Sequence, residues 1–202
     1  MPEIKPVIDD RKDILLLLLF SPGATDKKNE PISGRTRLMK LLFLAEKELL
    51  PTIASFRAIA QERRHNFVPY LYGPFSKDVF NDIQFLENAR LINEGSSGDE
   101  LSLAETSEFR LFYDDALLER IEQEAADAEA ETNYREPVFT LSKEGESFTA
   151  CLYESLSARE RKSLQEFKAK YGGIPLTTLL RYIYTTYPES ASQSEIKWRI
   201  CP

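Results

Sequence analysis

One histidine, two cysteines and eight glycines are all that 202 residues contain of the types most used in catalysis, metal binding and phosphate loops. Each scarcity excludes something. A histidine-based triad or metal site would have to use His65, which lies in the charged run Arg63-Arg64-His65 and reads as exposed. Cys151 and Cys201 are too few and too far apart for a disulfide scaffold or a zinc site. Cys151 reads as a buried thiol, Cys201 as a loose one, and their scarcity suits a reducing, cytoplasmic setting. No Gly-x-Ser-x-Gly, P-loop or dinucleotide-binding glycine pattern occurs. Gly172-Gly173 ahead of Pro175 reads as a helix end. The apolar run at 14–20 falls far short of the roughly twenty residues that span a bilayer. Asp9, Asp10 and Asp13 stand where a secretory leader is basic. The run reads instead as a short buried helix, capped by Asp9 or Asp10 and ended by Ser21-Pro22-Gly23.

What the chain does have is charge, unevenly placed. The net charge of −7 comes from the middle. Residues 1–95 hold 14 basic and 13 acidic side chains, residues 96–155 hold 4 and 16, and residues 156–202 hold 8 and 4. Overall charge therefore does not exclude nucleic acid as a partner, because the ends can carry local positive faces. The acidic stretch includes Asp114, Asp115, Glu119, Glu122 and Asp127. It lacks the order of a calcium loop and reads as a solvated helix face over 114–132. No catalytic set, metal site or cofactor is expected.

Periodicity places the elements. Residues 25–31 form a polar linker. Ser33 is positioned to cap a helix in which Leu38, Leu41, Leu42, Ala45 and Leu49 share one buried face before Pro51. A shorter helix is predicted at about 52–61. Pro69 and Pro74 make the aromatic segment 67–72 extended, and Gly73-Pro74 a turn. Ser76 is placed to cap a second helix with Val79, Phe80, Ile83 and Leu86 inward. Leu91-Ile92 and residues 101–103 read as a hairpin around 95–98, and residues 137–141 as a further strand that completes a small sheet. Ser142 heads a helix with Phe148, Cys151, Leu152 and Leu156 inward. Ser157-Ala158-Arg159-Glu160 is a capping box. Pro175 opens the last clear helix, with Leu176, Leu179, Leu180 and Ile183 inward, and Trp198 suggests a docked tail.

This order predicts a mainly α chain with a small β-sheet. Residues 1–30 are a helix and linker, and 31–156 a winged-helix domain with an acidic helical insertion at about 106–135. Residues 157–202 are a C-terminal helical extension.

Phosphate contacts need basic side chains or helix N-termini. Arg35, Arg37 and Lys40 cluster at the start of the first core helix, and Arg63, Arg64 and Lys77 follow. These six are the nucleic-acid candidates. Against standard major-groove docking, the second helix carries Asp78, Asp82 and Glu87 outward, beside Asn81 and Gln84, and the hairpin 94–100 is acidic. Tyr70, Tyr72 and Phe75 around the Gly-Pro turn are candidate anchors for a protein partner. Tyr171, Tyr182, Tyr184 and Tyr187 are read mostly as core, or else as a second partner surface.

Gly34-Arg35-Thr36-Arg37-Leu38-Met39-Lys40-Leu41-Leu42-Phe43-Leu44-Ala45 resembles the opening helix of the antitoxin SocA-like (Panacea) family, where a basic lead-in meets a KLLYLA-type helix. Tyr72-Gly73-Pro74-Phe75-Ser76-Lys77-Asp78-Val79 is similar to that family's Gly-Pro turn, and Leu91-Ile92 to its helix exit. Phe139-Thr140-Leu141-Ser142-Lys143-Glu144-Gly145 resembles a strand-to-helix segment of winged-helix regulators. The likeness covers roughly 34–150 and departs at the acidic insertion. It implies a winged-helix-like fold without catalytic residues, and a role in regulation or in a toxin–antitoxin or defence system. The implied partner is a protein, such as a toxin or the product of a neighbouring gene. DNA binding as a sequence-specific repressor is the alternative. A homodimer is compatible with either, and no membrane partner is expected.

Overall fold

The computed structural model describes residues 7–96 and 136–201, a mainly helical chain with small antiparallel sheets. The strand predicted at 101–103, the acidic helix at 114–132 and the insertion at 106–135 lie outside the described residues.

Helix α1 (Arg11–Phe20) begins with a reciprocal cap. The Asp10 carboxylate accepts from the Lys12 N–H, and the Asp13 carboxylate accepts from the Asp9 and Asp10 N–H groups. All of its residues from Ile14 to Phe20 are buried. A helix apolar all round needs cover on every side. At its far end, the Lys168 ammonium donates to the carbonyls of Leu19 at 3.0 Å, Ser21 at 2.8 Å and Glu30 at 2.8 Å. Carbonyls at a helix C-terminus have no partner inside the helix and attract a cation. Burial lowers the Lys168 pKa to about 8, against a smaller opposing pull from Glu30.

Strand β1 (Ile32–Ser33) leads into α2 (Arg35–Leu44). Ser33 is not the cap, because it pairs with Val138 in the sheet; Gly34 occupies the cap position. The predicted face of Leu38, Leu41, Leu42, Ala45 and Leu49 is buried, and Met39, Lys40, Phe43 and Leu44 are buried with it. The helix then widens into one π turn (Ala45–Leu49), closed by the Leu50 N–H on the Ala45 carbonyl at 2.9 Å. Helix α3 (Ala54–Arg57) and a 3₁₀ turn (Gln61–Arg63) stand where a longer helix was expected.

Strands β2 (Val68–Tyr70) and β3 (Gly73–Phe75) pair antiparallel, with Pro69 opposite Pro74, so the turn falls at Leu71-Tyr72 and Gly73-Pro74, expected to form it, open β3 instead. Gly73 has φ +83°, and a Cβ there would lie 2.7 Å from the Tyr184 ring. Glycine meets both the backbone and the space requirement. Helix α4 (Lys77–Asn88) follows Ser76, whose hydroxyl makes no capping bond. Val79, Ile83 and Leu86 face inward as predicted, but Asp82 takes the fourth inward position and Phe80 is exposed. Position 82 lies three residues after 79 and four before 86, on the same helical face.

Strand β4 (Ile92–Ser96) and strand β5 (Pro137–Leu141) complete the three-stranded sheet in the order β1-β5-β4. The strand predicted at 137–141 is thus its middle member. Ile32, Ile92, Phe139 and Leu141 are its buried residues. Helix α5 (Lys143–Ser155) is capped by Ser142, whose hydroxyl accepts from the Gly145 N–H at 2.9 Å. Its inward row is Gly145, Thr149, Leu152 and the following Leu156. Phe148 and Cys151 fall off that row and are exposed, contrary to expectation. Helix α6 (Ala158–Tyr171) has the predicted capping box between Ser157 and Glu160. Helix α7 (Leu176–Thr186), a 3₁₀ turn (Pro188–Ala191) and helix α8 (Lys197–Ile200) follow. Trp198 does not dock; it is exposed while Ile196 and Ile200 are buried. Tyr171 and Tyr184 are core, and Tyr182 and Tyr187 are partly buried against it. One hydrophobic cluster runs from Ile8 to Ile200, so the first and last helices share it with α2 and α4.

Candidate functional site

The predicted basic cluster is dispersed by the fold. Lys40 is buried, and its ammonium donates to the Pro74 carbonyl at 2.9 Å. It therefore ties α2 to the start of β3 and is not presented to phosphate. Arg37 donates to the carbonyls of Gly172 and Ile174, closing the end of α6. Arg35 is half exposed and pairs with Glu94 on β4. Arg63 pairs with Asp9 at 2.6 Å. Arg64 donates to the carbonyls of Arg57 and Ile59 and to the Gln61 side chain. Of the six candidates, Lys77 is exposed at the start of α4 with no such tie among the described residues.

The aromatic candidates do come together. The rings of Tyr70 and Phe75 lie 5.0 Å apart, and those of Phe75 and Phe80 5.8 Å. These spacings suit tilted aromatic pairs. Tyr70 is 47% exposed and Phe80 41%, so the patch continues from the turn onto α4, whereas the exposed Phe85 lies on the other flank of that helix beside Lys12. Tyr72 is half-buried against the core. With Met39, Tyr70, Phe75 and Phe80 it lines an apolar hollow of about 160 Å³. Pro69 and Pro74 leave the strands here without two N–H donors, which blunts the small sheet as a template for a further strand. The residues that carry the family resemblance thus meet physically: Lys40 holds the turn whose aromatic rings form the patch.

A second feature was misread from sequence. His65 is buried, not exposed. Its Nδ1 lies 2.9 Å from Glu46 Oε1 on the π turn, and its backbone N–H donates to the same oxygen at 2.7 Å. On the other side, Nε2 lies 3.3 Å from Asp82 Oδ2, an ion-pair distance without hydrogen-bond alignment. Arg11 on α1 closes the row, its Nε donating to Asp82 at 2.6 Å. Carboxylates face both ring nitrogens, and only the imidazolium donates from both. Burial alone would lower the histidine pKa, but Asp82 and Glu46 outweigh it and raise the value. Burial likewise opposes ionisation of Asp82, and His65 and Arg11 overcome it and lower its pKa. The row Glu46, His65, Asp82, Arg11 alternates in sign and joins α2, α4 and α1. Asp82 was expected to repel DNA from the outer face of α4; it points the other way and is neutralised.

The signal for this row was partial. Position 82 falls on the inward period of α4, but nothing local marks His65, because its partners lie 19 residues before and 17 after it. Beside it, a cleft of about 400 Å³ opens between the π turn, residues 61–69 and the last 3₁₀ turn.

A third polar cluster lies on the opposite side of the π turn. Glu48 accepts from the Tyr171 hydroxyl at 2.9 Å and the Tyr182 hydroxyl at 2.9 Å. Burial, with Tyr182 and Glu48, pushes the Tyr171 pKa up, so both hydroxyls serve as donors. Among the described residues, no group of His, Cys, Asp and Glu is placed to hold a metal ion. Among them, too, no helix is long and apolar enough to cross a membrane.

No family model, curated protein or solved structure matches the chain.

Proposed function

We propose that the chain is a non-enzymatic, winged-helix-like binding protein, a regulator or an antitoxin-like component of a defence or toxin–antitoxin system. Its partner is a protein that docks on the aromatic patch. The observation that carries this reading is the patch itself: Tyr70, Phe75 and Phe80, ring against ring beside the tight turn between β2 and β3, with Tyr70 and Phe80 solvent-facing. Aromatic groups held on a rigid support dominate protein interfaces, and contiguous exposed ones mark them. The winged-helix part is supported by the order α1-β1-α2-α4-β4-β5, with α3 and the β2–β3 pair set between α2 and α4, and by the sheet order β1-β5-β4. In that fold, a strand ahead of the helix pair joins the outer side of the last strand, and the wing joins the final two strands. The resemblance in the α2 and Gly-Pro segments supplies the regulatory setting and the candidate partner, a toxin or neighbouring gene product.

The test is co-expression with the product of the adjacent gene. The two copurify, and the pair Tyr70→Ser with Phe80→Ser abolishes copurification while leaving the melting temperature unchanged. Failure to bind any neighbour, and any DNA, overturns the proposal.

One observation favours the DNA alternative. With Asp82 turned inward, the outer row of α4 is Lys77, Asn81, Gln84 and Asn88, all exposed. Amide side chains pair with adenine in the major groove. A gel shift over the chain's own upstream DNA at two salt concentrations separates the readings. Salt-sensitive binding that Asn81→Ala weakens favours DNA; no shift favours the protein partner.

A further inference from the structure

The cleft beside His65 is separate from the aromatic patch and is built differently. Its walls come from the end of α2 (Phe43), the π turn and the residue that closes it (Lys47, Leu50), the extended segment before β2 (Arg64, Phe67) and Glu189 on the last 3₁₀ turn. At about 400 Å³ it falls within the size range of small-molecule sites, and it sets apolar side chains, among them Phe43, Leu50 and Phe67, beside charged and polar ones. The π turn matters because widening the helix here sets Glu46 and Lys47 on this wall and Glu48 on the tyrosine cluster. Single π turns concentrate at functional sites.

The charges around the cleft sort by what already compensates them. Glu46 is committed to His65, and His65 to Glu46 and Asp82. Lys47 lies over the rings of Phe43, at 5.6 Å, and Tyr187, at 5.9 Å, and meets no carboxylate among the described residues. Arg64 has its donors on carbonyls and an amide, so its charge too meets no carboxylate among them. Against these two cations, Glu189 is the one lining acid outside the His65 row. Among the described residues the cleft is therefore positive by one unit, with apolar side chains beside the charges.

We infer that this cleft binds a small monoanion with a planar apolar body, of the aromatic-carboxylate class. The carboxylate lies toward Lys47 and the body against Leu50 and Phe67. Two full negative charges would leave one facing Glu189, and a cationic ligand would meet Lys47 and Arg64.

The single histidine makes the site directly observable. His65 lies on the cleft wall, and as the chain's one histidine it gives an unambiguous Cε1–H resonance in a proton spectrum. The probe is 1-naphthoate, titrated into the full chain to about 5 mM, enough to reveal even a millimolar site. The expected result is a saturable shift of that resonance. Lys47→Glu, at an exposed position, weakens it about tenfold or more, equivalent to about 1.4 kcal/mol. Phe80→Ser, on the other face, leaves it unchanged. 1-Naphthylmethylamine, with the same body and opposite charge, gives no saturable shift. The inference is overturned by no shift with naphthoate, by equal binding of the amine, or by Lys47→Glu binding like the parent. A shift lost with Phe80→Ser overturns it as well, because binding then belongs to the aromatic patch. Circular dichroism of each variant confirms that it is folded.

Discussion

Replacing His65 by glutamine removes the cation between two carboxylates, and its cost depends on pH. The imidazole is fully buried, the Asp82 side chain is 4% exposed and Glu46 15%. Breaking a buried charge pair by removing one partner costs roughly 3–5 kcal/mol, because the other charge stays buried. Arg11 remains on Asp82 at 2.6 Å, so the lower end applies, about 3 kcal/mol. For a chain of this size that lowers the melting temperature by roughly 6–12 °C. The pH dependence follows from the two shifts. The folded-state pKa of His65 is raised, so its contribution is complete below the ordinary histidine value of about 6.5. It is lost as pH rises through the higher folded value. The folded pKa of Asp82 is lowered, so its contribution is complete above about 3.9 and lost as pH falls through the lower folded value. The row is therefore at full strength between about pH 4 and pH 6.5. Urea melts of the parent and His65→Gln at pH 6 and pH 9 measure the difference, and the histidine resonance measures the pKa itself. A resonance that titrates at or below 6.5, or an equal loss at both pH values, refutes the proposed charge row.

Two further substitutions test the packing. Gly145→Ala in α5 would ordinarily stabilise a helix by about 0.5–1 kcal/mol. Here a Cβ would lie 1.8 Å from the Leu91 carbonyl oxygen, backbone against backbone, so a loss of about 3 kcal/mol is expected in a thermal melt. Any gain in stability contradicts that close approach. Lys40→Met keeps the length and apolar stem but removes the donor to Pro74. The orphaned carbonyl costs about 1–3 kcal/mol, read by urea denaturation. A neutral result means that Lys40 does not hold the turn.

Local chemistry was legible in the sequence, and distant pairing was not. The caps at Asp10 and Ser157 were readable because donor and acceptor lie within four residues. Ser33 has the right side chain for a cap, but a strand 105 residues later claims its backbone. The inward face of α2 followed from its period, yet the burial of Lys40 did not. It depends on a carbonyl 34 residues away that can satisfy an ammonium within an apolar face. His65 looked exposed because Arg63 and Arg64 are polar neighbours, while its burial is decided by Glu46 and Asp82 from two other elements. The aromatic segment was legible as extended, because Pro69 and Pro74 disfavour helix, but its turn falls at Leu71-Tyr72 and not at Gly73-Pro74. Its extension to Phe80 was not legible, because the stripe on α4 was drawn through Phe80 and missed Asp82.

The sheet order has a consequence for how the chain is made. β5 is the middle strand, yet it follows both of its neighbours in sequence, and Lys168, which closes the end of α1, comes later still. A ribosome that has released residues 1–96 has delivered two strands still waiting for β5, the strand between them, and an apolar helix whose end Lys168 has yet to close. Those edges are open to wrong pairing until residue 141 emerges. The fold is thus completed from its C-terminal half backwards, and a nascent chain stalled before β5 is the form most exposed to capture by other chains.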